Sequence, residues 1–432
     1  MYRRALENLI AWKNAERRKP LVVNGVRQVG KTWLVTEFAR REFDALAHAV
    51  FLDNEQAQRI FSGSLDPQQL LVLIGTLTGT NPNDGRTLVF LDEIQECPRA
   101  ITALKLFCEQ TPHVPIIAAG SLLGFALNRD AQTRGSEAFN RVSWPVGKVS
   151  YLDLHPLTFG EFVRAVETPQ LAQLVESGPF EMLDSLNERM TSLLAQYLYV
   201  GGMPEAVQTY VDTRDLTAVR TVQTELLRSY ELDFFKHVDS ALVTERIRAT
   251  WHSVPSQLAV ESDLKRFTYA SIKAGARGRD YRDAVSWLAD AGLVVKVPRV
   301  AKPEIPLEGH ADGTYFKLYL ADVGLLGAAT NLPASALIDN QSLFAEYKGA
   351  YAEQFVCQHL LALEGRSPYY WSADGKDSKG EVDFVIEDAG AVVPIEVKAA
   401  GSVAGKSLAR FCKTYHIDHA LRLSLLGYKK QE

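Results

Sequence analysis

The sequence lacks the features of membrane, secreted and disulfide-stabilised proteins. Among its 432 residues, no apolar run approaches the roughly 18 residues that cross a membrane. The four cysteines are scattered, with neither a C-x-x-C pair nor a histidine-rich partner segment. We therefore expect no structural zinc site, no disulfide framework and a reducing compartment. Residues 1–20 are charged and have no apolar core, which argues against a signal peptide, so we expect a soluble cytoplasmic protein with no membrane partner.

A strong excess of one charge is also missing. The chain has 47 Lys and Arg against 52 Asp and Glu, a net charge of −5. This balance argues against a nucleic-acid-binding protein that is basic over its whole surface, but it leaves room for a local basic patch. A hydrophobic fraction of 47% and a charged fraction of 23% exclude a disordered chain, a collagen or a coiled-coil rod. The length predicts two or three domains.

The first third of the chain alternates between strand-like and helix-like segments. Buried-strand patterns and helical patterns follow one another at 21–26, 31–43, 48–55, 87–94, 101–110 and 114–121. This alternation predicts an α/β fold, with βαβ units and a parallel sheet covered by helices on both faces. Residues 146–154 are predicted to add one strand. A long helical region follows to about residue 235, interrupted at Gly201-Gly202-Met203-Pro204.

Eight consecutive residues fit the phosphate-binding pattern G-x-x-x-x-G-K-[ST] between a strand and a helix. They are Gly25, Val26, Arg27, Gln28, Val29, Gly30, Lys31 and Thr32. The glycines permit a tight loop whose backbone N–H groups face phosphates, and Lys31 is placed to reach the β- and γ-phosphates. Thr32 is a candidate Mg²⁺ ligand. The alternative is a plain glycine turn; the pattern favours ATP and Mg²⁺ as cofactors.

A second group of candidate site residues lies at two later strand ends. Four apolar residues, 88–91, predict a buried strand beside the loop strand, and this strand carries Asp92 to the edge where Mg²⁺ would bind. Glu93 is placed to polarise the attacking water, so the pair favours hydrolysis over binding alone. Ser121 is a candidate contact for the γ-phosphate or, alternatively, the N-cap of the next helix.

With these motifs in view, residues 20–160 resemble an AAA+-type ATPase of the compact bacterial and archaeal group. The points of similarity are GVRQVGKT, VFLDEIQECP, AAGSLLGF and PLTFGEF. The resemblance implies that an arginine finger from a neighbouring subunit completes the site, and hence a homo-oligomer. In relatives a Gly-Arg pair would be expected just before the last strand. Here that position is Gly147-Lys148, and the upstream arginines are Arg129, Arg134 and Arg141.

One segment of the chain is strongly basic. Residues 265–302 contain nine basic and three acidic residues, a local charge of +6 that leaves −11 elsewhere. An amphipathic helix through Tyr281 and Leu288 is followed by two predicted strands, 293–300 and 315–322, a pattern typical of a winged helix-turn-helix. DNA contact is one interpretation, and a solvated face packed on another domain is the alternative. The basic residues are Lys265, Arg266, Lys273, Arg277, Arg279, Arg282, Lys296, Arg299 and Lys302.

The last segment has acidic residues and a lysine on two predicted strands. Asp383 lies in EVDFVI, and Glu396 and Lys398 lie in VVPIEVKA; Glu353, on the preceding predicted helix, is a further candidate ligand. Paired carboxylates bind Mg²⁺ or Mn²⁺, and a nearby lysine can orient or deprotonate water. This arrangement resembles the PD-(D/E)xK nuclease core, which implies a second metal site and catalytic roles for Asp383, Glu396 and Lys398. The alternative is a charged sheet edge that protects against aggregation.

Residues 190–420 also resemble the uncharacterised domain that commonly follows such ATPases. The matching segments are GGMPEAV, TELLRSYELDFFK, WLADAGLV and the VDFVI…IEVK pair. We therefore predict four parts: an ATPase domain at 1–160, a helical region at 161–262, a winged-helix-like module at 263–330 and a nuclease-like domain at 340–432.

Three functional hypotheses follow from the sequence. The first is an enzyme that couples Mg²⁺-dependent ATP hydrolysis to the binding or processing of DNA. The second is an ATP-switched regulator or sensor whose nuclease-like domain is inactive. The third is an ATPase that acts on a protein partner, with the basic segment as an internal interface.

Overall fold

The structure is a computed structural model that describes most of the chain in eight stretches. These are residues 1–121, 144–237, 240–259, 266–335, 343–363, 367–373, 380–398 and 406–424. The contacts divide the chain into two compact units. The N-terminal unit is Tyr2–Leu154 with Asp290–Gly292, and the C-terminal unit is made of most of the rest. No helix in the described residues is long and apolar enough to cross a membrane.

The N-terminal unit contains a parallel sheet flanked by helices, as the alternating pattern predicts. Its strands are β1 (Leu21–Asn24), β2 (Ala45–Val50), β3 (Thr87–Asp92), β4 (Ile116–Ala119) and β5 (Ser150–Asp153). They pair in the order β2-β3-β4-β1-β5, and every pairing is parallel. The helices of this unit are α1 (Ala5–Lys13), α2 (Lys31–Glu42), α3 (Glu55–Ile60), α4 (Pro67–Thr78) and α5 (Pro98–Gln110).

Two details of this sheet differ from the prediction. The strand predicted at 48–55 ends at Val50, and the Asn54 side chain instead caps α3 by accepting a hydrogen bond from Ala57 N. The expectation that the Asp92 strand lies beside the loop strand is wrong, because β4 lies between β3 and β1. Apolar runs show that strands are buried, but they carry no information on which strands are neighbours.

The C-terminal unit begins with a series of helices and continues into a mixed sheet. The helices are α6 (Phe159–Val166), α7 (Pro169–Ser177), α8 (Phe180–Asp184), α9 (Asn187–Val200), α10 (Pro204–Thr213), α11 (Leu216–His237), α12 (Ala241–Ala259), α13 (Gly278–Asp290), α14 (Val323–Ala329), α15 (Leu343–Leu361) and α16 (Lys406–Tyr415). The strands are β6 (Val294–Val300), β7 (Ala311–Leu320), β8 (Tyr369–Ser372), β9 (Glu381–Asp388), β10 (Ala391–Lys398) and β11 (Leu421–Ser424).

A single sheet contains both the predicted wing and the predicted nuclease-like strands. The strand order is β11-β10-β9-β8-β6-β7. Strands β6 and β7 form the expected antiparallel hairpin, and β6 also pairs in parallel with β8. The sequence boundary predicted between residues 330 and 340 therefore separates segments that share one sheet.

At Gly201-Gly202, where a break was predicted, the chain passes from α9 to α10 and packs closely against other parts of the C-terminal unit. Helix α9 ends at Val200, and Gly201 has φ 72°, a left-handed conformation that favours glycine. A Cβ at Gly202 would overlap the backbone of Leu157. The N–H of Gly202 donates to the buried carboxylate of Asp322 at 2.6 Å. Close backbone approach and a buried acceptor account for the paired glycines.

Candidate functional site

The loop between β1 and α2 has the shape that phosphate binding requires. Gly25 has φ 145° and Gly30 has φ 95°, and a Cβ at Gly25 would overlap the carbonyl oxygen of Leu154. Gly30 is the N-cap of α2, so the loop leads directly to the positive end of the helix dipole. The buried Arg3 guanidinium donates to Val29 O at 3.1 Å and holds the loop from outside. The sequence analysis missed Arg3, because nothing in its neighbours signals this role.

Lys31 is buried, and its hydrogen-bond partners within the described stretches are carbonyl oxygens of the loop. Its Nζ donates to Gly25 O at 2.8 Å and to Val26 O at 3.1 Å. Burial lowers the pKa of Lys31 to about 8, although the nearby Glu93 and Asp92 act to raise it. The ammonium is therefore held by neutral acceptors, which a phosphate can replace.

The two predicted Mg²⁺ ligands of this site are in direct contact. Thr32 Oγ1 donates to Asp92 Oδ2 at 2.9 Å, although the residues belong to α2 and β3. His48 Nε2 lies 3.2 Å from the same oxygen, and its ring stacks on Phe90 with centroids 4.6 Å apart. The sequence analysis missed His48; the pairing of β2 with β3 brings it near Asp92. A hydroxyl and a carboxylate are oxygen donors that suit Mg²⁺.

Glu93 has an uncommon backbone conformation just beyond β3. Its φ is 53°, a left-handed value that costs energy for a residue with a side chain. Its Oε2 accepts a hydrogen bond from Gln95 Nε2 at 2.5 Å. This geometry fixes the direction in which the carboxylate leaves the end of the strand.

Ser121 lies just past β4, between the ends of the strands that carry the loop and Asp92. The residue is 6% exposed, and its Oγ has no hydrogen-bond partner among the residues that the structure describes. A buried hydroxyl without a partner is unfavourable unless a ligand or water satisfies it. The alternative role as an N-cap concerns residues 122–143, which lie outside the described residues.

The position expected for an arginine finger contains a lysine with a partner on its own chain. Lys148 Nζ lies 2.8 Å from Glu109 Oε1, and the two side chains are more than a third exposed. Arg129, Arg134 and Arg141, the other residues considered for this role, lie outside the described residues.

The structure brings the acidic residues of the C-terminal sheet into one buried region. Asp383 on β9 accepts a hydrogen bond through Oδ2 from Val397 N on β10 at 2.8 Å. On β10, Glu396 Oε1 lies 2.8 Å from Lys398 Nζ. Glu353, on α15, is 3% exposed. Asp383 is thus close to β10, as predicted. Glu353 and Asp383 also share one neighbouring side chain, which was not among the predicted site residues.

That residue is Lys317 on β7, which is 0% exposed. Its Nζ lies 3.4 Å from Glu353 Oε2, 2.5 Å from Glu381 Oε1 and 4.0 Å from Asp383 Oδ1. Burial acts to lower the pKa of Lys317, but the three carboxylates outweigh it and raise the pKa above its ordinary value. Burial, with Glu353, raises the pKa of Asp383 to about 7.

These residues do not fit the divalent metal site that the nuclease resemblance implies. Glu353 and Asp383 were predicted to bind metal, but the ammonium of Lys317 lies next to both of them. Within the described stretches, no group of three or more His, Cys, Asp and Glu side chains is arranged to hold a metal ion. Glu381 Oε2 and Glu396 Oε2 are buried and have no hydrogen-bond partner within the described part of the chain.

The basic segment is exposed, with one exception. Arg299 is 7% exposed, donates to Ser372 O at 3.0 Å and lies 3.7 Å from Asp312. Arg299 links β6 to β8, so the expectation that it contacts phosphate from the wing is wrong. Lys265 lies outside the described residues. The remaining exposed residues are Arg266, Lys273, Arg277, Arg279, Arg282, Lys296 and Lys302.

Comparisons with known proteins match three parts of the chain. Residues 17–163 match the model described as AAA domain. Residues 191–336 and 348–431 match two domains of unknown function, DUF8612 and DUF4143 respectively. No curated protein matches the chain.

Two solved structures are similar to the chain at low sequence identity. A Walker-type ATPase of Pyrococcus abyssi is 14% identical, with a TM-score of 0.44, and the match covers 76% of this chain and 95% of that one. The ORC1 protein of Aeropyrum pernix, solved in complex with DNA, is 13% identical, with a TM-score of 0.27 and coverage of 78% and 92%. Both TM-scores are too low to extend either protein's properties to this chain.

Proposed function

Because the chain combines a P-loop ATPase domain of the AAA type with a separate C-terminal domain, we propose that it couples Mg²⁺-dependent ATP hydrolysis to nucleic-acid binding. The observation that carries the ATPase part is the contact between Thr32 and Asp92 beside the buried Lys31. One helix start and one strand end thereby present a hydroxyl, a carboxylate and an ammonium at the same edge of the sheet. That set of groups suits a triphosphate with a divalent ion.

Each residue of the loop has a role in this proposal. Backbone N–H groups of the loop 25–32 would face the phosphates, apart from that of Val29, which donates to Val26 O at 3.3 Å, and Lys31 would exchange its carbonyl partners for β- and γ-phosphate oxygens. Thr32 and Asp92 hold Mg²⁺, which neutralises charge on the phosphate oxygens when bound. Glu93 orients the attacking water, and the unpartnered Ser121 hydroxyl donates to the γ-phosphate.

The nucleic-acid part of the proposal depends on the exposed basic segment. Lys273, Arg277 and Arg279 are exposed in or just before α13, and Lys296 and Lys302 are exposed in and after β6. The net charge of the whole chain is −5, whereas residues 265–302 alone have a formal charge of +6. Such a local concentration of positive charge attracts a phosphate backbone without regard to base sequence.

A second candidate is an ATP-switched regulator that acts on a protein partner. It is favoured by two large apolar side chains, Leu232 and Phe235, which lie one helical turn apart on α11 and are each 60% exposed. Exposed apolar pairs of this kind suit a protein contact better than a nucleic-acid backbone.

The ATPase part is tested by ATP turnover of Lys31→Ala and Glu93→Gln, with Lys105→Ala, an exposed lysine on α5, as the control. We expect turnover to fall by about 10²- to 10⁴-fold in the first two variants and to stay unchanged in the control. Turnover at the wild-type rate in Lys31→Ala would sink the assignment. Measuring the oligomeric mass with ATP present or absent shows whether a neighbouring subunit is available to supply the finger.

The nucleic-acid part is tested by the salt dependence of DNA binding. We expect Arg277→Ala with Arg279→Ala to weaken binding equally for different sequences and to lower the slope of log K against log salt by about 1 for each phosphate that is no longer neutralised. Arg228→Ala, an exposed arginine on α11, is the matched control. Binding that ignores salt and both substitutions would favour the protein-partner candidate.

A further inference from the structure

The carboxylate cluster of the C-terminal sheet contains a cation supplied by the chain itself. Lys317 reaches it from β7, Glu381 and Asp383 from β9, and Glu353 from α15. We propose that the Lys317 ammonium occupies the place of a divalent metal ion in this cluster, so that the domain keeps nuclease-like carboxylates without binding metal or cleaving nucleic acid. The proposal concerns the C-terminal sheet alone and does not depend on the ATPase assignment.

Electrostatics supports this substitution. A metal ion that used oxygens of Glu353, Glu381 and Asp383 would lie within a few ångströms of Nζ, in a largely buried region where the Glu381 and Asp383 side chains are only 14% and 15% exposed. Like charges repel strongly at such separations when they are buried. Lys317 cannot withdraw to solvent to make room, because its side chain is 0% exposed. The face of the Tyr370 ring, 5.2 Å from Nζ, adds a further favourable contact for a cation.

The lone pairs that a metal would need are also engaged. Asp383 Oδ2 accepts the Val397 N–H. Glu353 Oε2 accepts a hydrogen bond from the Tyr319 hydroxyl at 2.8 Å in addition to Lys317. Glu396 Oε1 is paired with Lys398. Each predicted ligand thus has an oxygen bound to a donor of the protein, and the carboxylates are arranged around a hydrogen-bonding cation.

Two oxygens argue in the other direction and decide how the test is built. Among the described residues, nothing donates a hydrogen bond to the buried Glu381 Oε2 and Glu396 Oε2, so they are the positions where a metal ion or water would bind if Lys317 did not exclude metal. A metal titration of the chain with Lys317 intact examines them directly.

The first experiment is a Mn²⁺ titration of the full chain carrying Thr32→Ala, which removes the hydroxyl ligand of the nucleotide site. Without nucleotide, we expect no bound Mn²⁺ at any point of the titration. We also expect no Mg²⁺- or Mn²⁺-dependent cleavage of single- or double-stranded DNA or RNA. One bound Mn²⁺ that is lost on Asp383→Asn, or cleavage abolished by Asp383→Asn, overturns the proposal.

The second experiment adds Lys317→Met to the same chain. Lys398→Met is the control, because that side chain is one-third exposed and is paired with Glu396. We expect Lys317→Met to gain one Mn²⁺ site and a rise in melting temperature with Mn²⁺, and Lys398→Met to gain neither. A folded Lys317→Met chain that binds no Mn²⁺ shows that Lys317 does not stand in for the metal. If this variant folds only with Mn²⁺, the proposal is supported; if it does not fold at all, the first experiment decides.

Discussion

The protein has two buried lysines beside carboxylates, and they differ in what holds them. Lys31 in the N-terminal unit donates to the carbonyls of Gly25 and Val26, and to no other group that the structure describes. Lys317 in the C-terminal unit lies against Glu353 and Glu381. Burial lowers the pKa of Lys31 to about 8, whereas the carboxylates around Lys317 raise its pKa above the ordinary value. A lysine with neutral acceptors remains able to bind an anion, but a lysine neutralised by its own chain does not.

The difference also separates a site from a structural element. The P-loop is formed mainly by backbone groups, so an incoming phosphate meets N–H donors and one incompletely neutralised ammonium. The cluster around Lys317 is formed by side chains from β7, β9 and α15, and its carboxylates already surround the ammonium and balance its charge. Lysine near acidic residues is therefore weak evidence for catalysis unless the charge of the lysine is left uncompensated.

The largest effect that we predict separates the two lysines by stability. Lys317→Met leaves buried carboxylates without a cation and should lower the free energy of unfolding by about 3–5 kcal/mol. Lys31→Met removes a desolvated ammonium with no direct ion pair and should change it by about 1 kcal/mol or less. Urea unfolding measures both free energies, with susceptibility to proteolysis as the signal that reports on each unit separately. Equal losses in the two variants would break the comparison.

His359, a partly buried histidine, gives a third case, in which burial holds the side chain neutral. Its Nε2 accepts the Phe159 N–H at 2.8 Å, and Nδ1 lies 2.8 Å from Phe355 O, so the neutral ring is satisfied. Burial lowers the pKa of His359 to about 4; the ring of Tyr197 packs on it, and Glu161, the charged group that acts on it, opposes the shift only weakly.

The pH dependence of stability follows from that shift. The unfolded chain binds the proton of this histidine near pH 6.5 and the folded chain only near pH 4, so stability falls as the pH drops through this range, by about 3 kcal/mol in total. His359→Gln should lack this part of the decline. Urea midpoints of both proteins at the two pH values test it, and parallel losses would show that other groups cause the acid sensitivity.

A smaller effect is expected from the backbone of the loop. Gly25→Ala introduces a Cβ that overlaps Leu154 O at φ 145°, which costs about 1–3 kcal/mol in the binding-competent loop. ATP affinity should therefore fall by about 10- to 100-fold. Gly63→Ala is the control, because nothing lies within 4 Å of its added Cβ. Nucleotide titration compares them, and an unaffected Gly25→Ala protein would mean that the loop binds in another conformation.

How much the sequence predicts depends on how far apart the cooperating residues are. The loop 25–32 is contiguous, and a strand ending in Asp92 is visible from its apolar run, so the residues proposed for the N-terminal site can be named from the sequence alone. The insertion of β4 between β1 and β3 could not be predicted, because strand order depends on long-range packing. Arg3 and His48 support the site from elements whose own patterns carry no chemical signal.

The C-terminal cluster shows the limit more clearly. Asp383, Glu396 and Lys398 were found from the spacing of acidic residues on strands, but Lys317 lies 66 residues before Asp383 in a segment predicted only as half of a wing hairpin. One signal was present: Lys317 lies between Phe316 and Leu318 in a run that is buried from Phe316 to Leu320. A charged residue inside a strand buried on both faces needs a partner, and only the sheet order shows which one.

The smallest predicted effect concerns His48. This residue, on β2, contacts Asp92 in addition to Thr32, which is on α2. Its Nε2 lies 3.2 Å from Asp92 Oδ2, the oxygen that also accepts the Thr32 hydroxyl, and its ring stacks on Phe90. His48→Phe keeps an aromatic ring on Phe90 but loses the polar contact, so the carboxylate is less well oriented for Mg²⁺. We expect the Mg²⁺ concentration for half-maximal turnover to rise by about tenfold, with ATP affinity and thermal stability nearly unchanged. A change in stability without a change in Mg²⁺ dependence would assign His48 to packing alone, and the site would then depend on Thr32 to orient Asp92.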